Sequence, residues 1–223
     1  MASVVKTDLA SVVKTDPASI TIEIVYRGIF QKTLAQRICR SIVLAARKRG
    51  HTGTAFGRYG DSPERNGVPA KYFAIVAVND EELEVSMARY EPSVVDIAVA
   101  VDDTLVKGVE SWAWYGRQPI WKPVHAGGAV LVTSEKTPDA VLAQTDAATR
   151  PYLMGIVPGN ASFAGLWVFK DDHTDYRVLG ALAKLAPDWV LIDDVTALLR
   201  EPPNDDSAVA SARDAYAQPP SRQ

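Results

Sequence analysis

The stretch ITIEIVYRGIFQKTLAQRICRSIVLAARKRG, residues 20–50, decides the fold because a strand pattern, a turn and a helix pattern follow one another in it. Apolar residues recur at every second position up to Tyr26, a period of two that predicts a β-strand. From Gln31 onward, apolar residues recur three or four positions apart and basic residues occupy the other face, which predicts a helix facing the core. Gly28 separates the two elements, and Gly50 suits the helix end. The stretch therefore predicts a βα unit.

The turn between this strand and helix is of a type that can bind anions in α/β proteins, since the free backbone N–H groups of a helix N-terminus point out of it. Gly28 is the one glycine of the turn, and Ile29 and Phe30 follow it. Their side chains would crowd a phosphate that approached the backbone. Ordinary packing of the strand on the helix is therefore favoured over nucleotide binding.

Length and composition bound the class of protein. With 223 residues, of which 47% are apolar and 23% charged, the chain is long enough for one sizeable α/β domain, or one domain and an appendage. A net charge of −3 gives no electrostatic reason to expect a nucleic acid or an anionic membrane as partner. No run approaches the roughly 18 apolar residues of a membrane span, and no apolar secretory segment is present, so we expect a cytoplasmic protein.

Cysteine usage limits the redox chemistry of the chain. Cys39 is the single cysteine, which excludes an internal disulfide, a cysteine-rich zinc site and an iron–sulfur cluster held by this chain alone. We also expect no metal site at the sequence DDH, residues 171–173, because three adjacent polar residues cannot all converge on one ion and a solvated turn is favoured. Any redox cofactor must come from another chain.

Both termini differ from the middle of the chain. The sequence ASVVKTD occurs at residues 2–8 and again at residues 10–16. The repeat is either a local duplication in a mobile arm or an extended arm that pairs along the surface of a partner. The polar, proline-rich C-terminal sequence predicts a tail. We therefore divide the chain into an N-terminal arm (1–19), an α/β domain (20–200) and a C-terminal tail (201–223).

Two groups of polar residues are candidates for ligand binding. Asp102 and Asp103 follow the apolar strand pattern of residues 94–101, at the end where open α/β sheets place ligands, although adjacent acids there more often cap the following turn. The glycine-containing loop 58–67 is predicted to be exposed. Its arginines could bind a carboxylate or a phosphate, or pair with acidic residues of the loop itself. The sequence leaves both alternatives open.

The segment 109–128 is rich in aromatic residues. Three of the chain's five tryptophans lie here within ten residues, together with a tyrosine, and the four side chains are Trp112, Trp114, Tyr115 and Trp121. Trp, Tyr and Arg dominate the hot spots of protein interfaces, so a loop that docks another subunit is one hypothesis. A satellite core beneath the loop is the alternative.

Five segments taken together resemble a known family, the gamma subunit or gamma domain of the 2-oxoacid:ferredoxin oxidoreductases of the pyruvate, 2-oxoglutarate and oxalate types. They occur in the family's order between Ile20 and Arg200, and they are IEIVYRG with Gln31 before a long helix, RYGDSPERNGVPA, YEPSVVDIAVAVDDTL, AGGAVLVTS and VLGALAKLAPD. YGDSPERNG and LGALAKL are the most specific. The resemblance implies a three-layer, Rossmann-like, mostly parallel sheet with helices on both faces, here with extended N- and C-terminal arms.

For function, the resemblance implies a subunit of a complex that oxidatively decarboxylates a 2-oxoacid and passes the electrons to ferredoxin or a similar acceptor. In that family thiamine diphosphate, Mg²⁺ and [4Fe-4S] clusters belong to other subunits, which agrees with the single cysteine of this chain. The chain is then expected to be non-catalytic and to dock on the thiamine-binding alpha and beta subunits of a hetero-oligomer.

The gamma domain of that family also helps to hold coenzyme A, through a glycine-rich turn and neighbouring loops. Carried over to this sequence, the residues that would meet coenzyme A are Gly28, Gln31, Lys32, Arg58, Gly60 and Arg65. This sequence departs from the family at the turn, where Ile29, Phe30 and Lys32 stand in place of the expected glycines. Either the enzyme works without coenzyme A, as oxalate-type members do, or this subunit is a scaffold and another chain holds the acceptor.

Two further hypotheses come from other classes of protein. The chain could be a stand-alone nucleotide-binding α/β protein that uses Asp102 and the Gly28 turn. It could also be a purely structural interaction protein, in which the tryptophans of the aromatic segment are buried against a neighbour. The sequence alone does not distinguish them from an oxidoreductase subunit.

Overall fold

A computed structural model describes residues 13, 18–58, 68–112, 115–146, 153–159, 173–200 and 205–218. The strands in this part of the chain are β1 (Ser19–Arg27), β2 (Thr52–Arg58), β3 (Pro69–Ala77), β4 (Val95–Ala100), β5 (Glu110–Trp112), β6 (Gly116–Gln118), β7 (Val124–Ser134) and β8 (Leu153–Pro158). The α-helices are α1 (Gly28–Lys48), α2 (Asp80–Ser86), α3 (Pro138–Leu142), α4 (Thr174–Leu185), α5 (Ile192–Leu199) and α6 (Asp206–Ala217).

Six of these strands form one mixed sheet with the order β2-β3-β1-β4-β7-β8, and β5 pairs with β6 in a separate hairpin. The strands β1, β4, β7 and β8 run parallel to one another. β3 lies antiparallel between β1 and β2. The interior strands are buried almost throughout, as expected for a sheet covered on both faces. The predicted α/β class with a mostly parallel sheet is confirmed.

The two faces of the sheet are covered differently. On one face, α1, α4, α5 and α6 contribute to a core that also contains side chains of β1, β3, β4, β7 and β8. On the other face, the buried side chains of the covering elements come from a 3₁₀ helix (Asp103–Val106), the β5–β6 hairpin, the segment before β7, and α3, and they are Leu105, Val106, Trp112, Ile120, Trp121 and Val141. The prediction of helices on both faces is confirmed.

The βα unit predicted from residues 20–50 is present. β1 ends at Arg27 and α1 begins at Gly28, so no loop separates them. Gly28 has φ +70°, a left-handed conformation that glycine adopts without steric cost. Helix α1 buries residues three or four apart, including Ala35, Ile38 and Ile42, as the periodicity predicts. Gly50, with φ +83°, follows the end of the helix.

The prediction of a polar tail at residues 201–223 is wrong for residues 206–217, which form α6. Asp205 caps this helix, because its carboxylate accepts a hydrogen bond of 3.0 Å from the backbone N–H of Ala208. One face of α6 is buried against α4, where Gly180 lies so close to Ala212 that an added Cβ would stand 2.0 Å from the Ala212 carbonyl oxygen. The buried face of α6 consists of small apolar residues, which are hard to recognise in a sequence segment whose overall composition is polar.

Within the two ASVVKTD copies of the N-terminal arm, the structure describes one residue, Val13. Val13 is buried and belongs to the core on the α1 face. The rest of the two ASVVKTD copies lies outside the described residues, so the two interpretations of the repeat stay predictions. In the described part of the chain, none of the helices combines the length and the apolar character needed to cross a bilayer.

Candidate functional site

The connections that follow β1 and β4 lie on opposite faces of the sheet. After β1 it continues into α1 on one face, whereas after β4 it continues into the 3₁₀ helix and the β5–β6 hairpin on the opposite face. Adjacent parallel strands whose connections diverge in this way open a crevice at their carboxyl ends, where open α/β sheets bind ligands. The crevice between β1 and β4 is therefore the candidate site. It brings together Gly28 and Gln31 from α1 with Asp102, which follows β4.

The side chain of Gln31 makes two hydrogen bonds inside the crevice. Its side-chain carbonyl accepts a hydrogen bond of 2.6 Å from the backbone N–H of Arg27, and its side-chain amide donates one of 3.1 Å to Oδ2 of Asp102. Oδ1 of Asp102 accepts a hydrogen bond of 2.7 Å from the backbone N–H of Thr104. Gln31 is 7% exposed and Asp102 2%. Asp102 therefore has the capping role that the sequence favoured for it, and both of its oxygens have partners inside the chain.

The residues of this turn do not fit a phosphate group. An anion at the N-terminus of α1 would be attracted by the helix dipole but would also face the Asp102 carboxylate, to which Gln31 ties the first turn. Ile29 and Phe30 are 62% and 52% exposed at the mouth of the turn, where the approach of a phosphate requires glycine or small residues. Electrostatics and sterics thus agree that the Gly28 turn is a poor site for coenzyme A or a nucleotide.

Arg27 fixes the hairpin beside the crevice. Its Nη1 donates a hydrogen bond of 2.6 Å to Oγ1 of Thr104, and its Nη2 lies 2.5 Å from a carboxylate oxygen of Glu110. Both side chains of this ion pair are about seven-eighths buried. No sequence pattern indicated this pair, since no spacing rule connects residues 83 positions apart. Its effect is to hold β5 against the carboxyl end of β1.

No protein-family model matches the sequence. Several solved structures resemble the chain, among them the following three. The pyruvate oxidoreductase subunit PORC of Thermotoga maritima superposes with a TM-score of 0.60 at 19% identity, covering 90% of this chain and 97% of the other. The gamma subunit of a keto/oxoacid ferredoxin oxidoreductase of Geobacter sulfurreducens superposes with a TM-score of 0.53 at 16% identity, covering 89% and 92%.

The third structure is the 2-oxoglutarate:ferredoxin oxidoreductase of Magnetococcus marinus with 2-oxoglutarate, coenzyme A and succinyl-CoA bound. It superposes with a TM-score of 0.53 at 12% identity, and the match covers 90% of this chain but 30% of that one. The chain has the gamma-subunit fold. The resemblance predicted from the five sequence segments is thereby confirmed at the level of the fold.

The predicted coenzyme A residues that the structure describes come from two elements. Gly28, Gln31 and Lys32 lie in the first turns of α1, and Arg58 ends β2, two strands away from β1. Nε of Arg58 is 3.3 Å from a carboxylate oxygen of Glu91, so its charge is compensated inside the chain. Gly60 and Arg65 lie outside the described residues. Contact of coenzyme A with Arg58, Gly60 and Arg65 stays a prediction, whereas at Gly28, Gln31 and Lys32 the poor fit of the turn to a phosphate argues against such contact.

A buried charged cluster lies beside Arg58 on the hairpin face of the sheet. Nζ of Lys71 is 2.8 Å from Oε2 of Glu23, and it lies 5.0 Å and 4.9 Å from the ring centres of Trp112 and Tyr115. Burial raises the pKa of Glu23, and the ion pair with Lys71 offsets part of this rise. Sequence reasoning missed the cluster because its members come from four separate segments. Cation–π contacts of Lys71 with both Trp112 and Tyr115 fix the hairpin over β3.

Tyr115 links this cluster to the surface. Its hydroxyl donates a hydrogen bond to the carboxylate of Glu91, which also lies 3.8 Å from Nζ of Lys71. Burial and the Glu91 hydrogen bond raise the pKa of Tyr115 to about 12. The phenol therefore stays protonated at neutral pH and acts as a hydrogen-bond donor that holds Glu91 in place.

Two of the four aromatic side chains of segment 109–128 pack inside this chain. Trp112 and Trp121 are 5% and 4% exposed and pack in the core of this chain, as the satellite-core alternative predicts. They are therefore corrected from partner-docking side chains to core side chains. Tyr115 is half-buried, and Trp114 lies outside the described residues. Docking by these two side chains stays a prediction.

Asp103 lies at the carboxyl ends of β4 and β7, next to the crevice. Its Oδ2 accepts a hydrogen bond of 2.6 Å from Oγ of Ser134 and lies 3.0 Å from Nζ of Lys136. Burial alone would raise the pKa of Asp103, but these two partners outweigh it and the pKa is lowered. Among the described residues, no group of three His, Cys, Asp or Glu side chains could hold a metal ion. Asp171 and Asp172 of the DDH motif lie outside that part of the chain.

Proposed function

We propose that this chain is the gamma-type subunit of a multi-subunit oxidoreductase that decarboxylates a 2-oxoacid. The observation that carries the proposal is the superposition of about nine-tenths of this chain on almost the whole length of PORC and of the Geobacter gamma subunit. Two separately solved subunits of similar size and of related named activity support a whole-subunit role over an incidental likeness of part of a larger fold.

The proposal assigns the redox and acyl chemistry to partner chains. Thiamine diphosphate, Mg²⁺ and [4Fe-4S] clusters would belong to the alpha and beta subunits, and ferredoxin or a similar protein would accept the electrons. The single cysteine, Cys39, is completely buried in α1, and burial raises its pKa well above the usual value, so it is a poor ligand or nucleophile. The chain itself would be non-catalytic.

The proposal also assigns the Gly28 turn a scaffold role. Gln31 and Asp102 join the first turn of α1 to the end of β4 through a hydrogen bond. If the complex uses coenzyme A, the cofactor would be held by loops or subunits other than this turn. If it does not, the complex would resemble the oxalate-type members. In either case the crevice serves to fix the subunit's internal geometry.

Purification from the native host tests the proposal. A tagged chain should co-purify with large partner chains that contain thiamine diphosphate and iron in stoichiometric amounts, detected by mass spectrometry and cofactor analysis. Recovery of the chain as a monomer without such partners would refute the proposal. The stand-alone nucleotide-binding alternative predicts instead that the isolated chain binds a nucleotide and that Asp102→Ala abolishes the binding.

A further inference from the structure

The exposed face of α1 carries charge of one sign. The helix sequence contains five basic residues, Lys or Arg, and no acidic residue, although the whole chain has a net charge of −3. Its exposed residues fall on one line along the helix, about 28 Å long at 1.5 Å per residue. We call this line the α1 stripe, and it consists of Ile29, Phe30, Thr33, Arg37, Arg40, Leu44, Arg47 and Lys48.

The α1 stripe is cationic at Arg40 and Arg47, whereas Arg37 is ion-paired inside the chain. Arg37 is 53% exposed although its Nη2 lies 3.0 Å from a carboxylate oxygen of Asp175. Arg47 donates a hydrogen bond of 3.0 Å to the backbone carbonyl of Gly53, a neutral partner that does not cancel its charge. Arg40 is exposed midway along the stripe. A surface of this kind attracts a partner of opposite charge.

The stripe also exposes apolar side chains. Ile29, Phe30 and Leu44 are 62%, 52% and 49% exposed, and they stand before and between the arginines. A nucleic acid would cover the cations with phosphates but would leave Ile29 and Leu44 without apolar partners. A bilayer would need the helix to present its apolar face, and that face is buried in the core of this chain. Mixed cationic and apolar chemistry instead fits a protein surface.

We propose that the α1 stripe docks an acidic surface of a partner subunit, with apolar side chains of the partner opposite Ile29, Phe30 and Leu44. The inference rests on the proposed function, because it takes the partner from the same oxidoreductase complex. The docking role predicted for Trp112 and Trp121 is thereby assigned to the α1 stripe instead, because both tryptophans pack inside this chain. Carboxylates of the partner would lie opposite Arg40 and Arg47 along one side of the helix.

Charge reversal in the purified complex tests this docking surface. Arg40→Glu should lower the amount of partner chains retained by the tagged protein about tenfold at physiological salt, and Leu44→Gln should lower it several-fold. Lys122→Glu is the matched control, since Lys122 is exposed outside the stripe and undergoes the same change of charge. It should retain the partners as the unsubstituted chain does. Retention by the unsubstituted chain should itself fall at higher salt.

The outcomes separate the docking surface from the proposed function. If the unsubstituted chain and Arg40→Glu retain equal amounts of partner, the docking surface is refuted and the proposed function stands. If the unsubstituted chain retains no partner, the proposed function fails and the docking surface fails with it. Thermal unfolding of each purified variant detects loss of folding, and Arg40→Gln then replaces Arg40→Glu with an uncharged residue of good helix propensity.

Two measurements on the isolated chain address other occupants of the stripe. We expect neither a 20-nucleotide oligothymidylate nor vesicles containing phosphatidylserine to bind the unsubstituted chain, and we expect its mass in solution to stay that of a monomer. Binding of either probe that Arg40→Glu abolishes would assign the stripe to nucleic acid or membrane and would overturn the proposal. Dimerisation that Arg40→Glu abolishes would overturn it in favour of a second copy of this chain.

Discussion

The side-chain amide of Gln31 donates a hydrogen bond of 3.1 Å to the buried carboxylate of Asp102. This contact joins the first turn of α1 to the end of β4, two segments 71 residues apart in the sequence. It occupies the crevice in which α/β proteins commonly bind anionic ligands. The same elements that would form a phosphate site are here used to hold the fold together.

Replacement of Asp102 by alanine should destabilise the chain. The variant loses the cap of the 3₁₀ turn and leaves the buried side-chain amide of Gln31 without its acceptor. Such losses cost about 1–3 kcal/mol each and are not additive. Urea unfolding at neutral pH measures the change, with Asp214→Ala on the exposed side of α6 as the control. An unfolding free energy equal to that of the control would show that the contact does not stabilise the fold.

Lys32→Gln should leave the coenzyme A affinity of the purified complex unchanged. Lys32 lies in the α1 turn that faces Asp102, so we expect no phosphate beside it even if the complex uses coenzyme A. Isothermal titration of the complex with coenzyme A, before and after the substitution, measures the affinity. Losing one charge-assisted contact would lower the affinity about tenfold. A loss of that size would show that the turn is part of the coenzyme A site.

Lys71→Met should be strongly destabilising. The substitution removes the cation but keeps the length of the side chain, so it leaves the completely buried Glu23 without its counter-charge. Breaking a buried pair in this way costs about 3–5 kcal/mol. The double variant Lys71→Met/Glu23→Gln should recover much of the loss, because no unpaired charge is then buried. Urea unfolding of the four proteins of this cycle gives the coupling energy, and additive effects would contradict the predicted pairing.

The stability difference between Glu23→Gln and the unsubstituted chain should depend on pH. Burial raises the pKa of Glu23 in the folded chain, so the folded state holds the proton that the unfolded state releases above the ordinary glutamate pKa of 4.5. The contribution of Glu23 is therefore fully present below that value and is lost as the pH rises through the folded pKa. Urea unfolding at a series of pH values should show that the free energy of unfolding of Glu23→Gln increases relative to that of the unsubstituted chain as the pH rises. A constant or decreasing difference would contradict a raised pKa.

Gly180→Ala should separate α4 from α6. An added Cβ would stand 2.0 Å from the carbonyl oxygen of Ala212, and overpacking of this kind costs about 1–3 kcal/mol. Hydrogen exchange of residues 206–217 should become faster in this variant than in the control Ala210→Ser, which changes an exposed position of α6. Unchanged protection of α6 in Gly180→Ala would contradict the close approach of the two helices.

Periodic patterns predicted the main elements of the fold. The alternation before Tyr26 and the three-to-four spacing after Gln31 gave β1 and α1, because each pattern records one buried face. Helix α6 was missed for the converse reason. Its buried face consists mainly of alanines such as Ala208 and Ala212, whose weak hydrophobicity does not stand out in a polar, proline-rich segment.

The site was predicted only in part, because its contacts join distant segments. The two aspartates after β4 and the glycine after β1 were visible as strand-end features, and their meeting follows from the parallel pairing of β1 with β4. The pairing of Arg27 with Glu110 and of Lys71 with Glu23 depends on which strands are neighbours and on which face each side chain points. Local patterns in a single sequence do not identify which strands that are distant in the chain lie next to each other.

The most direct measurement for the central claim is 2-oxoacid-dependent reduction of a viologen dye, compared between the complex purified through this chain and the isolated chain. Both samples are supplied with thiamine diphosphate and Mg²⁺. A non-catalytic gamma-type subunit predicts that the activity co-purifies with the tagged chain and that the isolated chain has none. Turnover by the isolated chain, or purification of the chain free of any such activity, would contradict the claim.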